Sequence, residues 1–395
     1  MRHLINKLIT AFILIFISAL TVLYSEGWRL NYLGAFMGES LNTDTQEEQA
    51  IRKTGMIAVR SIPDGAKVYI DNDLITATDD TITNLTPNKY KLKVEKEGFE
   101  TWEKEINVYP DLVTDITAIL VLQSPKLEPL TSLDVKTFAL SNNQNNIVFT
   151  SANNTQPGLW ILPLNRTGIN LFRNETQLLA QDSPTLKPSL AKDLEWSIDD
   201  QSIITKNTDN TYTNYIFSND RVLSTTNLKD ITTLQTEKET EWQKDFLSSK
   251  QAILDEQKAP AFITQSLTKT FGTWAPDNEK FFLIQDKKLI VYNSETPLPV
   301  GEKRIYETVL NFNSETTSVN WYSDSYHFIL VEKDPTQPDY YTISLVRIDG
   351  TNKTTVYSGK LASSKAYPSP SGDRIIVLTS LKENTTTNLY SIGLR

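Results

Sequence analysis

Trp321-Tyr322-Ser323-Asp324-Ser325-Tyr326-His327-Phe328-Ile329-Leu330-Val331 reads as a turn of small and acidic residues feeding an apolar strand. The same grammar recurs upstream, as Trp274-Ala275-Pro276-Asp277-Asn278 before Phe281 to Ile284 and as Trp196-Ser197-Ile198-Asp199-Asp200 before Ile203-Ile204. Leu140-Ser141-Asn142-Asn143 before Ile147 to Phe149 opens the series, and Pro368-Ser369-Pro370-Ser371-Gly372 before Ile375 to Leu378 closes it. A second strand rich in aromatics follows most of them, for example Leu159-Trp160-Ile161-Leu162 and Leu289-Ile290-Val291-Tyr292. Measured at Ser141, Ser197, Ala275, Tyr322 and Ser369, the turns are 56, 78, 47 and 47 residues apart. A period of roughly 40–50 residues built of short strands predicts a β-propeller of five or six blades over residues 126–395. The last repeat begins at Pro368 and is short of a full blade, so a strand after Pro125 is expected to complete it and close the ring.

The 78-residue interval leaves room for an insertion. Within residues 236–258, Trp242, Phe246, Leu247, Ile253 and Leu254 fall on one helical stripe that ends shortly before Pro260. The spacing predicts a helix on the propeller rim, packed by that stripe more readily than offering it to a partner. The turns resemble the Trp-Ser-Pro-Asp-Gly hairpin of TolB-like propellers, although none of the five matches that pattern completely.

Ahead of the repeats lies a run of shorter segments. Tyr90, Leu92 and Val94 alternate with Lys89, Lys91 and Lys93, which is the period of a half-buried strand. Pro63-Asp64-Gly65-Ala66, Asp71-Asn72-Asp73, Thr86-Pro87-Asn88-Lys89 and Lys96-Glu97-Gly98-Phe99 punctuate the run, and Thr114 to Val121 reads as its last strand. Six or seven strands in about seventy residues predict a small antiparallel β-sandwich over residues 54–122. Gly65 and Gly98 stand where a turn needs permissive φ. Pro63-Asp64-Gly65-Ala66, Val68-Tyr69-Ile70-Asp71, Asn84 to Tyr90, and Lys96-Glu97-Gly98-Phe99 with Trp102 together resemble the PEGA domain. That resemblance implies a sandwich common in extracytoplasmic parts of prokaryotic envelope proteins, without established catalytic residues. Asp71, Asp73, Asp79 and Asp80 lack the spacing of a calcium loop and read as turn acids.

At the N-terminus, Leu4 to Tyr24 is a mostly apolar stretch about 32 Å long as a helix, with Asn6 and Lys7 near its start and Thr10, Ser18 and Thr21 able to bond back to the preceding turn. Arg2 and Lys7 precede most of it, while Glu26, Glu39, Asp44, Glu47 and Glu48 follow. The positive-inside bias predicts a signal-anchor helix over residues 1–25 and a juxtamembrane linker over 26–53, with the N-terminus cytoplasmic and the bulk extracytoplasmic. Small-x-small cleavage residues are missing from the Ser18 to Tyr24 region, which favours an uncleaved anchor over a removed signal. Trp28, Tyr32, Phe36 and Met37 suit a headgroup layer or ordinary packing equally well.

Composition excludes much chemistry. The 395 residues contain no Cys and two His, His3 and His327, so thiolate nucleophiles, disulfides and multi-imidazole metal sites cannot be built within one chain. A net charge of −9 is a poor match for nucleic acid. Gly-x-Ser-x-Gly, Walker and dinucleotide patterns are absent. Asp199, Asp277 and Asp324 occupy equivalent turn positions, which points to Asx turns rather than a catalytic pair. His327 reads as structural, and Trp102 and Trp160 as core.

The expected function is therefore a non-catalytic, single-pass cell-envelope protein that binds an envelope protein or surface glycan, without cofactor or metal. The sequence marks no catalytic, cofactor or metal residue, and the binding residues are unknown from it. Two competitors are a glycan-active hydrolase with a carboxylate pair at the propeller mouth and a sensor acting through a membrane partner.

Overall fold

A computed structural model of the chain describes residues 12–19, 21–22, 28–30, 51–164, 176–197, 199–218, 221–228, 244, 246–248, 250–270, 272–308, 317–380 and 386–395. The chain divides into two units, Met1–Leu120 with Thr296–Glu302, and Val121–Glu295 with Lys303–Arg395.

In the first unit a short ladder, β1 (Trp28–Leu30) with β2 (Ile51–Lys53), precedes a two-sheet sandwich. One sheet has the order β6 (Asp80–Leu85), β3 (Gly55–Ile62), β9 (Val113–Ile119). The other has the order β5 (Asp73–Ala77), β4 (Lys67–Ile70), β7 (Lys89–Glu95), β8 (Trp102–Asn107). Alternation fills the space between them: Ile57, Val59, Val68, Ile70, Leu92, Val94, Trp102, Ile106 and Ile116 form one buried cluster. The lysines of β7 face outward, where Lys91 and Lys89 pair with Glu103 and Glu105 of β8. Asp71 and Asn72 take φ of 49° and 77°, the left-handed pair that closes a two-residue hairpin between β4 and β5.

A wholly antiparallel sandwich is not what forms. β3 and β9 run parallel, from Met56 opposite Val113 to Ile62 opposite Ile119. Local alternation sets which face of a strand is buried, but not the direction of its neighbour. β9 follows β8 of the other sheet, so no hairpin dictates its partner. The chain consequently enters the β3–β9 pair at one end of the sandwich and leaves at the other, roughly 20 Å away at ~3.3 Å per residue.

Among its described residues the second unit holds five four-stranded antiparallel sheets. Sheet I is β11 (Val135–Leu140), β12 (Asn146–Ser151), β13 (Gly158–Pro163) and β14 (Gln177–Gln181). Sheet II is β15 (Asp193–Trp196), β16 (Ser202–Lys206), β17 (Tyr212–Ser218) and β18 (Arg221–Leu228). Sheet III is β19 (Thr273–Trp274), β20 (Lys280–Gln285), β21 (Lys288–Asn293) and β22 (Ile305–Thr308). Sheet IV is β23 (Thr317–Trp321), β24 (His327–Lys333), β25 (Tyr340–Arg347) and β26 (Thr354–Lys360). Sheet V joins β27 (Ala366–Pro368), β28 (Arg374–Thr379) and β29 (Asn388–Gly393) to β10 (Leu127–Pro129), the unit's first strand.

This is the arrangement of a β-propeller, and it explains why the middle strands read as unbroken apolar runs. Each is covered on both faces. On β12, Ile147 and Phe149 join a cluster with Ile376, Leu378 and Leu389 of sheet V, while Val148 joins Leu194, Ile203 and Tyr215 of sheet II. Sheet I is thus packed between the last sheet and the second.

The long interval before sheet III contains helix, though not one helix alone. Residues 244, 246–248 and 250–256 are helical, and a second helix, Ala261–Thr270, follows Pro260. Pro260 ends one helix and its carbonyl accepts the Ile263 amide of the next, so the second begins where the stripe was expected to stop. Leu254, Ile263 and Leu267 are buried against Phe281, Leu283 and Tyr292 of sheet III. Phe246 meets Trp274 edge to face at 4.8 Å. Trp242 lies outside the described residues.

Of the expected membrane segment, residues 12–19 and 21–22 are helical, with exposed apolar side chains from Phe12 to Ile17. Among the described residues no helix is long and apolar enough to cross a membrane, and the remainder of Leu4 to Tyr24 lies outside them.

Candidate functional site

The repeated turns connect the first and second strand of every sheet, and their acids are structural. In each, the amide of the first turn residue bonds the carbonyl five residues on, and the amide three residues on bonds back. The fourth residue has positive φ: Gln144, Asp200, Asn278, Ser325 and Gly372, between 55° and 64°. Asn143, Asp199, Asp277 and Asp324 accept the amide two residues ahead with a side-chain oxygen, at 2.8–3.1 Å. Neighbouring turns also hold each other. Asp200 accepts the amides of Asn142 and Asn143, Ser325 accepts the Asp277 amide, and the Tyr322 hydroxyl donates to the Gly372 carbonyl. Trp196 and Trp321 donate their indole N–H to the carbonyls of Ala139 and Thr273, on the preceding sheet's first strand.

His327 is buried, its Nδ1 2.6 Å from Asp324 Oδ2. Burial alone would raise the Asp324 carboxyl, but His327 and the Tyr326 and His327 amides outweigh it and hold it below its ordinary value. Trp160 stacks on Phe149, and Trp102 lies in the sandwich core. Asp71, Asp79 and Asp80 accept the amides of Lys91, Ser61 and Thr81 respectively.

Sequence reading missed a fully buried ammonium. Lys280 Nζ lies 2.7 Å from Asp277 Oδ2, 2.8 Å from Glu295 Oε1 and 4.0 Å from the Tyr326 ring centroid. The Tyr326 hydroxyl donates to Glu295 at 2.7 Å and Asn293 Nδ2 donates to it at 3.1 Å. Burial raises the Glu295 carboxyl, but the donors Lys280, Tyr326 and Asn293 together hold it below the ordinary range. Asp277, Glu279 and Glu295 bring ligand atoms within 4.8 Å of one another. Lys280 supplies one positive charge among these three carboxylates and is ion-paired to two of them, Asp277 and Glu295, so the cluster is a structural ion-paired knot.

Lys365, just before β27, bonds Asp193 of β15 at 2.9 Å and the Phe138 carbonyl of β11 at 3.4 Å. It ties the first strands of three sheets together.

A concave site lies at the other end of the strands of sheet II. In an antiparallel meander the β16–β17 turn and the β14–β15 connection share the end opposite the repeated turns. There a cavity of about 540 Å³ is lined by Lys187, Leu190, Asn207, Asp209, Thr213 and Asn227, among others. Its walls are preorganised. Asn207 Nδ2 donates to Thr211 and Thr213 hydroxyls at 3.0 and 3.1 Å, and Thr213 donates to Asn227 Oδ1 at 3.1 Å. Lys192 Nζ holds the Thr208 carbonyl at 2.8 Å and so pins the turn. Asp209 is held below the ordinary carboxylate range by the Thr211 hydroxyl and amide. Asn227 spends its carbonyl on Thr213 and leaves an amide NH2 to the groove, beside one cation and one anion. Such a surface suits a neutral ligand rich in hydroxyls or amides. Nothing in the repeat grammar marks these residues, because Asn and Thr are common throughout this sequence.

The four pieces that punctuate the first unit, and the sandwich built from them, have a family counterpart. Residues 54–123 match the PEGA domain. For the PEGA-containing chain as a whole, solved structures with similarity include TolB from Acinetobacter baumannii, at 10% identity and TM-score 0.27, covering 77% of this chain. This chain spans 60% of the length of that TolB. The RRP9 WD40 repeats align at 8% identity and TM-score 0.31, over 69% of this chain and 99% of theirs. A chain of the Mitotic Checkpoint Complex aligns at 8% identity and TM-score 0.34, over 70% and 93% respectively. None of the curated proteins compared matches the chain. The propeller reading rests on the strand pairing given above.

Proposed function

We propose that this protein is a non-catalytic binding platform of the cell envelope, tethered by its apolar N-terminal segment, with the PEGA domain and a five-bladed propeller displayed outside the membrane. Within it, the groove on sheet II takes a neutral, hydroxyl- or amide-rich ligand, the chemistry of a surface glycan. The observation that carries the ligand reading is the prepositioned Asn207–Thr213–Asn227 chain of groups lining a cavity of ligand size. Support for a non-catalytic role comes from the carboxylates. A glycosidase needs one acid kept protonated near a second carboxylate, whereas the groove's lining holds one carboxylate, Asp209, and it is held toward the ionised form. The acidic surface is compatible with a cation-bridged wall polymer as the environment of such a ligand.

Binding of neutral oligosaccharides to the full chain, followed by calorimetry, tests this. Asn227→Ala is expected to weaken binding about tenfold, the effect of losing one good hydrogen bond to an orienting group, and to lower the melting temperature by a few degrees, because the buried Thr213 hydroxyl loses its acceptor. Equal binding by the variant, or hydrolysis of the oligosaccharide, would contradict the reading.

A further inference from the structure

One end of the PEGA unit is more apolar than a solvated sandwich end needs to be. Tyr109, Leu112 and Val113 are 38%, 45% and 43% exposed, around Pro110. This loop is held rigidly. The Asp111 amide donates to the Thr54 carbonyl at 3.0 Å and the Met56 amide to the Leu112 carbonyl at 3.1 Å. A Cβ at Gly55 would stand 2.2 Å from the Tyr109 carbonyl oxygen, so only glycine lets the loop lie on the start of β3. Its nearby charge is balanced, since the Lys53 ammonium binds the Asp111 carboxylate.

The chain's connectivity says what such an end meets. Residue 22 ends the described part of the exposed apolar helix, and Trp28 begins β1 six residues later, a reach of at most about 20 Å. Trp28 stands opposite Lys53 in the β1–β2 ladder, and Lys53 is the residue bonded to Asp111. The described helical residues, the ladder and the loop are therefore linked by a short stretch of chain. β9 meanwhile carries the chain away toward the opposite end of the sandwich.

We propose that the Tyr109–Val113 end of the PEGA unit rests on the lipid headgroup surface, with Leu112 and Val113 at the acyl boundary and Tyr109 at headgroup level. This rests on the tethering proposed above. Tyrosine suits that layer because its ring is apolar and its hydroxyl polar. The bonded amides of Asp111 and Met56 reduce the cost of leaving water. The tether sets the effective concentration, so a small apolar footprint is enough.

The absence of cysteine makes the test clean. Full-length Leu112→Cys and Leu74→Cys, both at exposed positions, are labelled with an environment-sensitive fluorophore and reconstituted into phosphatidylcholine–phosphatidylglycerol vesicles. The label at 112 is expected to shift to the blue and to be quenched by headgroup-level nitroxide lipid about threefold or more over the label at 74. Equal lipid quenching at both sites overturns the proposal. So does a label at 112 shielded from aqueous iodide yet untouched by the nitroxide lipid, which would mean protein covers it. Flotation of the same samples separates the two readings: chains that fail to float with vesicles remove the tether and this contact together, whereas floating chains without lipid quenching at 112 remove the contact alone.

Discussion

A chain ending at Ser380 loses the cooperative unfolding transition of its second unit. Residues beyond that point include β29, which pairs with β28 on one side and with β10, the unit's first strand, on the other. Leu389 and Ile392 are fully buried and Leu394 is nearly so. Each such side chain contributes about 1.5–3 kcal/mol by burial, and their loss, with that of the paired rungs, approaches the 5–15 kcal/mol of a typical domain. Opening the ring also bares two strand edges. Circular dichroism and thermal unfolding read the loss, and a peptide of residues 386–395 supplied in trans should restore part of the transition. A truncated chain that melts as sharply as the intact one would show that the β10–β29 closure does not hold the unit together.

Lys280→Met lowers stability by about 3 kcal/mol, the lower end of what removing one partner of a buried ion pair costs, because Asp277 and Glu295 remain partly exposed. For a unit of this size that is a fall of about 5–10 °C in melting temperature. The cost is the charge left behind, so adding Asp277→Asn and Glu295→Gln to Lys280→Met should recover most of it. The pH dependence follows by sign. Glu295 has a folded pKa below its ordinary 4.5, so it stabilises the fold above that value. That contribution is lost as pH falls through the depressed folded value. With Lys280 gone the depression shrinks, and the Lys280→Met penalty should diminish on acidification below about 4.5. A penalty under about 1 kcal/mol, or one independent of pH, would contradict the knot as described.

These two devices differ in how visible they are from the letters. The closure could be anticipated, because a blade beginning at Pro368 lacked strands and the segment after Pro125 could supply one. The Asx turns were equally legible, since their geometry depends on residues only two to five positions apart. Lys280 was not. It follows the turn as any exposed lysine would, and only the approach of Glu295 and Tyr326 from outside its turn makes it a buried cation. The parallel β3–β9 pair failed to show for the same reason: strand identity is local, and strand partnership is not. The sheet II groove joins the β14–β15 connection, the β16–β17 turn and the end of β18, so no contiguous motif could announce it.

The central claim is a binding body tethered outside the membrane, and its most direct test is where an exposed residue of the propeller meets solvent. Leu223 on β18 is 66% exposed, and in a chain without cysteine Leu223→Cys is the sole thiol. A membrane-impermeant maleimide applied to intact cells should label it fully, with the labelled chain recovered in the membrane fraction. Labelling only after lysis, or recovery of the labelled chain free of membranes, would contradict the claim.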